Sequence, residues 1–440
     1  MKACIVAVGS ELLTPFRVDT NSLVITERLN AIGYDVRLKA IVGDDIDELA
    51  AMLRGALGWA DLIITTGGLG PTEDDITRDA VARVLQRSLA LDAAILDGIR
   101  DRFARRGLAM AAINQRQALV PRGAAVLDNP HGTAPGLWLE HGSTAIALLP
   151  GPPREMTPML EAVVRERLEP KSEGARLFRR VLKITGRTES DVDARAQPVY
   201  SRWVTQPIPI TTTILAVLGQ IELHLTARAA SRAEADPLLE SAVRQLEGVF
   251  GDSIYSSDGR TLETVVGDLL RAEQLRIAVA ESCTGGLLTS RLTDVRGSSD
   301  YVERGAVCYS NRAKIEWLGV PEALIATHGA VSEPVARAMA DSVRSRASTK
   351  VGIGVTGIAG PGGGTEQKPV GTVAIAVLAG EGARVRTFQF IGEREQIKFQ
   401  ATQAALNMLR LLLIEGWPED RALPKTPGAG FPNNASLRRD

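Results

Sequence analysis

Four short apolar runs, Ala3–Val8, Val36–Val42, Leu62–Thr66 and Ala145–Leu149, constrain the fold more than any other feature of this chain. Each has the length of a strand, and the most apolar of them have no solvent-facing alternation, the pattern of a strand covered on both faces. Between them lie helical patterns, Asn21–Ala31 and Ile46–Leu57 among them. This alternation predicts an α/β architecture: a parallel sheet with helices on both faces. Right-handed crossovers then bring the loops that follow the strands to one edge of the sheet.

The pattern changes further along. Val181–Thr185, Ile214–Leu218 and Glu222–Thr226 are strand-like, with helices near Glu189–Val199 and Arg232–Phe250, which predicts a small α+β module. A helix near Thr261–Glu273 then opens a third region. Strands are expected there at Arg276–Val279, Gly305–Tyr309, Val351–Val355, Thr372–Leu378 and Arg384–Phe390, before a long helix from about Glu393 to Leu413. The expected division is 1–170, 171–256 and 257–416, with a Pro- and Gly-rich tail over 417–440 expected to be disordered. A length of 440 residues suits two or three cores.

Composition narrows the function classes. A formal net charge of −1 and only 4% aromatic residues favour neither a nucleic-acid binder nor a membrane-surface binder. Cys4, Cys283 and Cys308 are odd in number and far apart, and His131, His141, His224 and His328 are scattered. Neither a disulfide framework nor a zinc site is expected, so any metal should be a hard cation on carboxylates. The first apolar run breaks at Gly9 and no run reaches the ~18 residues of a span, so a cytoplasmic enzyme is expected.

Two sites carry candidate chemistry. In the first, Gly67, Gly68 and Gly70 follow a strand and precede Thr72, Glu73, Asp74, Asp75 and a helix start. Glycines let the backbone approach a ligand, helix-start N–H groups receive phosphate oxygens, and Asp74 and Asp75 offer hard oxygen ligands beside them. That combination suits a metal-bridged phosphoanhydride, although Thr72 or Asp74 taken singly reads equally well as a helix cap. The loops carrying Glu11, Asn21 and Arg154 should share the same edge, with Arg154 placed to pair with phosphate. Glu11 and Glu155 read as cavity groups only slightly better than as solvated surface charges.

In the second, Glu281-Ser282-Cys283-Thr284-Gly285-Gly286 joins a strand to a helix as a candidate anion cradle. Ser299, Tyr309 and Lys314 follow, and then the Gly-rich stretch from Gly354 through Thr356 and Gly357 to Gly364. Ser, Tyr and Lys without a usable histidine point to a serine nucleophile with a lysine base. Spacing alone favours reading Lys314 as a solvated helix residue, as most lysines are. Cys283 is a rival nucleophile, read more readily as a small buried side chain.

The run Gly67–Asp79 resembles the molybdopterin-binding fold. Together with Gly9–Leu13, Asp19–Ser22 and Pro150–Met156, it is similar to the CinA family of competence/damage-inducible proteins. Residues 278–364 resemble that family's nicotinamide-nucleotide amidase domain in the motifs Ala-Glu-Ser-Cys-Thr-Gly-Gly, Gly-Ser-Ser, Tyr-Ser-Asn-x-Ala-Lys, His-Gly-Ala-Val-Ser and Gly-Val-Thr-Gly-Ile-Ala-Gly-Pro. The resemblance implies an amino-terminal molybdopterin-binding-like α/β/α sandwich acting as a metal-dependent ADP-ribose pyrophosphatase that releases AMP and ribose 5-phosphate. It implies a carboxy-terminal α/β amidase that needs no cofactor and converts nicotinamide mononucleotide to nicotinate mononucleotide and ammonia. Ser299 falls on the family's nucleophile, with Tyr309 and Lys314 as partners. Ser282, Thr284, Gly285, Thr356, Gly357 and Arg394 fall on substrate-binding positions, Arg394 suiting the substrate phosphate. In the amino-terminal half, phosphate contacts are expected from Gly67, Gly68, Gly70, Thr72, Asn21 and Arg154, and a divalent metal on Asp74, Asp75 and Glu11. A homodimer is expected. Thr14-Pro15-Phe16-Arg17 departs from the more Gly-containing segment of many members. The competing readings are an amino-terminal domain that binds a pterin or nucleotide without turnover, and a non-catalytic competence or recombination adaptor.

Overall fold

The structure, a computed structural model, describes residues 1–172 and 175–415, so the tail expected to be disordered lies outside the described residues. Two compact units are present: Met1–Phe178 with Arg228–Glu234, and Arg179–Ala227 with the residues from Ala235 onward.

The first unit is built on a six-stranded sheet ordered β2-β1-β3-β8-β7-β6. Its strands are β1 (Lys2–Val8), β2 (Asp35–Val42), β3 (Leu62–Thr66), β6 (Ala125–Leu127), β7 (Gly136–His141) and β8 (Thr144–Leu149), while β4 (Leu89–Leu91) and β5 (Leu119–Pro121) pair separately. Strands β2, β1, β3 and β8 are parallel, as expected. The sheet is nevertheless mixed, because β7 and β6 run antiparallel, β7 hairpinning into β8. The hairpin's Gly142 takes φ +58°, which a glycine adopts without strain.

Alternation along the buried strands divides the core in two. Cys4, Val6, Ile63, Ile146 and Leu148 face α2 (Ile46–Leu57) and α3 (Thr77–Val84). Ala3, Ile5, Leu62, Ile64, Ala147 and Leu149 face α1 (Asn21–Ala31) and α5 (Pro153–Val163). Helix α4 (Ala93–Arg105) precedes β5. An α/β/α sandwich results, and its parallel strands end in register at Ala7, Thr66 and Leu149, which brings Gly9, Gly67 and Pro150 to one edge.

The middle segment forms a four-stranded sheet, β10-β11-β9-β12, from β9 (Arg176–Ile184), β10 (Ile210–Val217), β11 (Gln220–Ala229) and β12 (Ile254–Ser256), with α6 (Glu189–Tyr200) and α7 (Arg232–Phe250). Strict alternation in β11 buries Ile221, Leu223, Leu225, Ala227 and Ala229.

The last segment is a five-stranded sheet ordered β14-β13-β15-β16-β17: β13 (Ile277–Glu281), β14 (Val302–Val307), β15 (Val351–Gly357), β16 (Thr372–Ala379) and β17 (Gly382–Gln389). Strands β14, β13 and β15 are parallel, and β16 and β17 are antiparallel. One face packs Val279, Ile353 and Ile375 against α8 (Leu262–Ala272) and α13 (Arg394–Ile414), with α9 (Leu287–Thr293) beside them. The other face is made of small residues. A Cβ on Gly352 or Gly354 would lie 2.3 or 2.1 Å from the Ala340 or Ala336 carbonyl oxygen, so these glycines let α12 (Glu333–Ala347) lie directly on the sheet. The short helices α10 (Asn311–Ala313) and α11 (Glu322–His328) join β14 to α12.

Candidate functional sites

At the carboxyl edge of the first sheet, a cavity of about 660 Å³ is lined by Glu11, Asp19, Asn21, Gly67, Gly68, Gly70, Asp74, Asp75 and Glu155, among others. Its floor holds itself together. A Cβ on Gly67 (φ +103°) would stand 2.2 Å from the Val8 carbonyl oxygen, and one on Gly68 would stand 2.2 Å from Thr77 Oγ1. These glycines are therefore required by the packing of the loop itself. Arg78, 2% exposed, donates to the Leu69 and Gly70 carbonyl oxygens at 2.6 and 2.7 Å, and Thr77 Oγ1 donates to Gly67 O at 2.9 Å. Arg78 was invisible as a site residue in the sequence, because an arginine after acids reads as a surface ion pair.

Several expected ligand contacts are committed elsewhere. Asp75 accepts from Gly70 N, Thr72 N and Thr72 Oγ1 at 2.6, 2.8 and 2.5 Å. It closes the turn and is not a free metal ligand, and Thr72 is tied to it. Asn21 Nδ2 donates to Thr66 Oγ1 and Gly151 O at 2.8 and 2.7 Å, so its amide nitrogen fastens the loops and is not held for phosphate. Arg154 is 79% exposed and lies outside the cavity lining. Glu155, by contrast, is only 9% exposed and accepts from Asn129 Nδ2 at 2.9 Å, so it is not a solvated surface charge. Asp74 and Glu11 remain on the cavity wall. Among the described residues no three His, Cys, Asp or Glu side chains form a preassembled metal cage.

In the carboxy-terminal sheet the decisive contact is between Lys314 and Ser282. Lys314 is 2% exposed, and its Nζ donates to Ser282 Oγ at 2.9 Å, Cys308 O at 3.1 Å and Tyr309 O at 3.2 Å. No carboxylate pairs with it among the described residues. Burial lowers the ammonium's pKa below the usual lysine range. Burial also pushes the Cys283 thiol up to about 12, which keeps it protonated and removes it as a rival nucleophile.

Ser299 does not join this group. It is exposed in the short turn Ser298–Asp300 that precedes β14, whereas Lys314 contacts the carbonyls that follow β14. The six residues of β14 separate the two ends, roughly 20 Å at strand rise. Within one chain, the expected Ser299–Lys314 pairing is corrected to Ser282–Lys314. Spacing in sequence hid this, because it cannot say which edge of a sheet a loop occupies.

The expected cradle at the start of α9 is also corrected. The Glu281 carboxylate, fully buried, accepts from Gly286 N, Leu288 N and Thr289 N at 3.0, 3.0 and 2.8 Å and from Thr289 Oγ1 at 2.7 Å. Protein carboxylate thus occupies the place expected for ligand anion. Thr284 is fully buried with no partner for its hydroxyl, and Gly285 is exposed in the same turn. Thr356 Oγ1 donates to Ala330 O at 2.9 Å, a structural tie, with Gly357 next to it at the end of β15. Tyr309 and Arg394 do meet: Arg394 Nη2 donates to Tyr309 Oη at 2.7 Å and Nη1 to Gly360 O at 2.6 Å.

Comparison with known proteins places these parts. Residues 4–170 match the family described as "Probable molybdopterin binding domain", residues 179–256 the "Damage-inducible protein CinA KH domain" and residues 259–413 the "CinA C-terminal domain". A CinA-like protein of Solibacter usitatus is 45% identical over 413 residues, covering 93% of this chain and 98% of the relative. The chain belongs to the CinA family. Another CinA-like protein, from Koribacter versatilis, is 44% identical over 418 residues, covering 94% of this chain and all of the relative (100%). Among solved structures, a CinA protein from Thermoplasma acidophilum is 34% identical, covering 38% of this chain and 98% of its own, with TM-score 0.36. A competence/damage inducible protein, CihA, from Agrobacterium tumefaciens is 39% identical, covering 35% of this chain and 93% of its own, with TM-score 0.34. Among the described residues of this CinA-family chain, no helix is long and apolar enough to cross a membrane.

Proposed function

We propose that this chain is a two-site hydrolase whose carboxy-terminal site deamidates nicotinamide mononucleotide, with Ser282 as nucleophile and Lys314 as base. The observation that carries this reading is the 2.9 Å contact between a serine hydroxyl and a buried lysine with a lowered pKa. Ser282 Oγ attacks the carboxamide carbon as its proton passes to Lys314 Nζ. The Cys283 and Thr284 N–H groups, which follow Ser282 in the same turn, would serve the oxyanion. Collapse of the tetrahedral intermediate breaks the C–N bond, and Lys314 returns the proton to the leaving ammonia. Water then attacks the acyl carbon as its proton passes to Lys314, the acyl–Oγ bond breaks with that proton returned to Ser282 Oγ, and nicotinate mononucleotide leaves.

The amino-terminal cavity supports cleavage of a nucleoside diphosphate such as ADP-ribose to AMP and ribose 5-phosphate. A hard divalent cation fits the donors on its wall, which are oxygen groups: Asp74 and Glu11, with Asp19 and Asp44. No three-acid cage is preassembled among the described residues, so a cation held by these residues would need further oxygen donors, which a substrate phosphate would offer. When bound, the cation supplies neutralisation of the developing phosphate charge.

The test is ammonia release from nicotinamide mononucleotide in EDTA by wild type, Ser282→Ala and Ser299→Ala. Ser282→Ala should lose about 10³-fold or more in kcat, with Ser299→Ala close to wild type. The opposite pattern moves the nucleophile to Ser299. No release from folded wild type sinks the amidase and favours the adaptor reading.

A further inference from the structure

Arg394, the expected phosphate contact, donates one N–H from each tip of its guanidinium fork, one to Gly360 O and the other to Tyr309 Oη, and keeps its remaining donors and its charge. It braces the Gly-rich loop against Tyr309. One helical turn later on α13 stands Lys398, on the same face by its i, i+4 spacing. Lys398 is half-buried and has neither a carboxylate nor a hydrogen-bond partner among the described residues. Its Nζ lies 3.9 Å from where a Cβ on Gly285 would be. Gly285 belongs to the nucleophile's own turn, since its N–H donates to Ser282 O at 3.1 Å. A turn of this kind keeps its ends within ~7 Å, so the ammonium stands on the order of 10 Å from the attacking serine.

We infer that Lys398 is the group that recognises a phosphomonoester on the amide substrate and so discriminates nucleotide from nucleoside. The inference rests on the amidase reading above. An unpaired cation held against the nucleophile's turn fits a substrate carrying its anion one nucleoside length from the scissile amide. The Gly285 backbone, exposed and without a side chain, leaves the approach open; a side chain there would also meet its φ of +63°. Arg394 braces Tyr309 through one N–H, and Lys398 is the ammonium that stands against the serine's own turn.

The experiment compares kcat/KM for ammonia release from nicotinamide mononucleotide and from nicotinamide riboside in wild type, Lys398→Ala and Lys398→Arg. The expected result in Lys398→Ala is a fall of roughly 10–100-fold in the nucleotide-to-nucleoside ratio, carried mainly by KM for the nucleotide, with recovery in Lys398→Arg. An unchanged ratio with an active enzyme overturns the assignment while leaving the amidase standing. If wild type releases ammonia from neither compound, the amidase reading falls. The subsite is then decided by calorimetric binding of nicotinamide mononucleotide, where equal affinity of wild type and Lys398→Ala overturns it.

Discussion

Lys314 shows what burial does to a single charged side chain. Its ammonium is surrounded by Ser282 Oγ and two backbone carbonyls, with no carboxylate to offset desolvation. Burial therefore holds its pKa below the unfolded value. Between those two pKa values the unfolded chain binds more protons, so folding stability should rise with pH across that window, and it should do so less in Lys314→Met. Ammonia release should rise over the same window as the base form of Lys314 accumulates. Urea unfolding and rate profiles at stepped pH check both, and an amidase rate that falls on deprotonation of Lys314 would exclude it as the base. Asp75 teaches the converse at this scale. An acid beside a Gly-rich loop reads as a metal ligand, but three donors within its own turn claim it first.

At the scale of elements, the turn from β13 into α9 depends on Glu281. Parity along a fully buried strand gives no reason to expect a carboxylate at its end, yet this one satisfies three N–H groups of the following turn and helix. Glu281→Gln removes the charge and should destabilise the second unit by about 2–4 kcal/mol, read from the urea midpoint. It should also lower amidase activity, because Ser282 is the next residue. An unchanged midpoint would show that the turn is held by Gly285 and the β15 contact alone. The buried strands and the longer helices were legible from sequence because their signal is local periodicity: α7 spans Arg232–Phe250 as its pattern predicts. The short β4 to β7 were not, since strands of three to six residues carry little periodicity.

For the whole molecule, two units with separate cores carry two chemically different sites. The amino-terminal cavity wall carries Glu11, Asp19, Asp44, Asp74 and Glu155, whereas the carboxy-terminal site pairs Ser282 with the buried Lys314. Chelation should therefore separate the activities. EDTA should abolish AMP release from ADP-ribose, measured chromatographically on the full chain, and excess Mg²⁺ or Mn²⁺ should restore it, while ammonia release from nicotinamide mononucleotide stays near its original rate. Loss of both with EDTA would place a metal in the carboxy-terminal chemistry.

Strand and helix periodicities and turn composition are local properties, so the α/β class, the segments of each sheet and the loops that carry polar and glycine residues could be read from the residues alone. The sequence also determined family membership, through motifs spread over nearly the whole length. Tertiary structure decided which of those polar groups meet. Ser282 and Lys314 are 32 positions apart and touch, because β13 and β14 are parallel neighbours that end at one edge. Ser299 is nearer to Lys314 in sequence and stands at the opposite edge. Likewise Asn21, Thr72 and Asp75 became internal ties and Glu155 a buried cavity group, because hydrogen-bond satisfaction is settled only when distant loops are brought together.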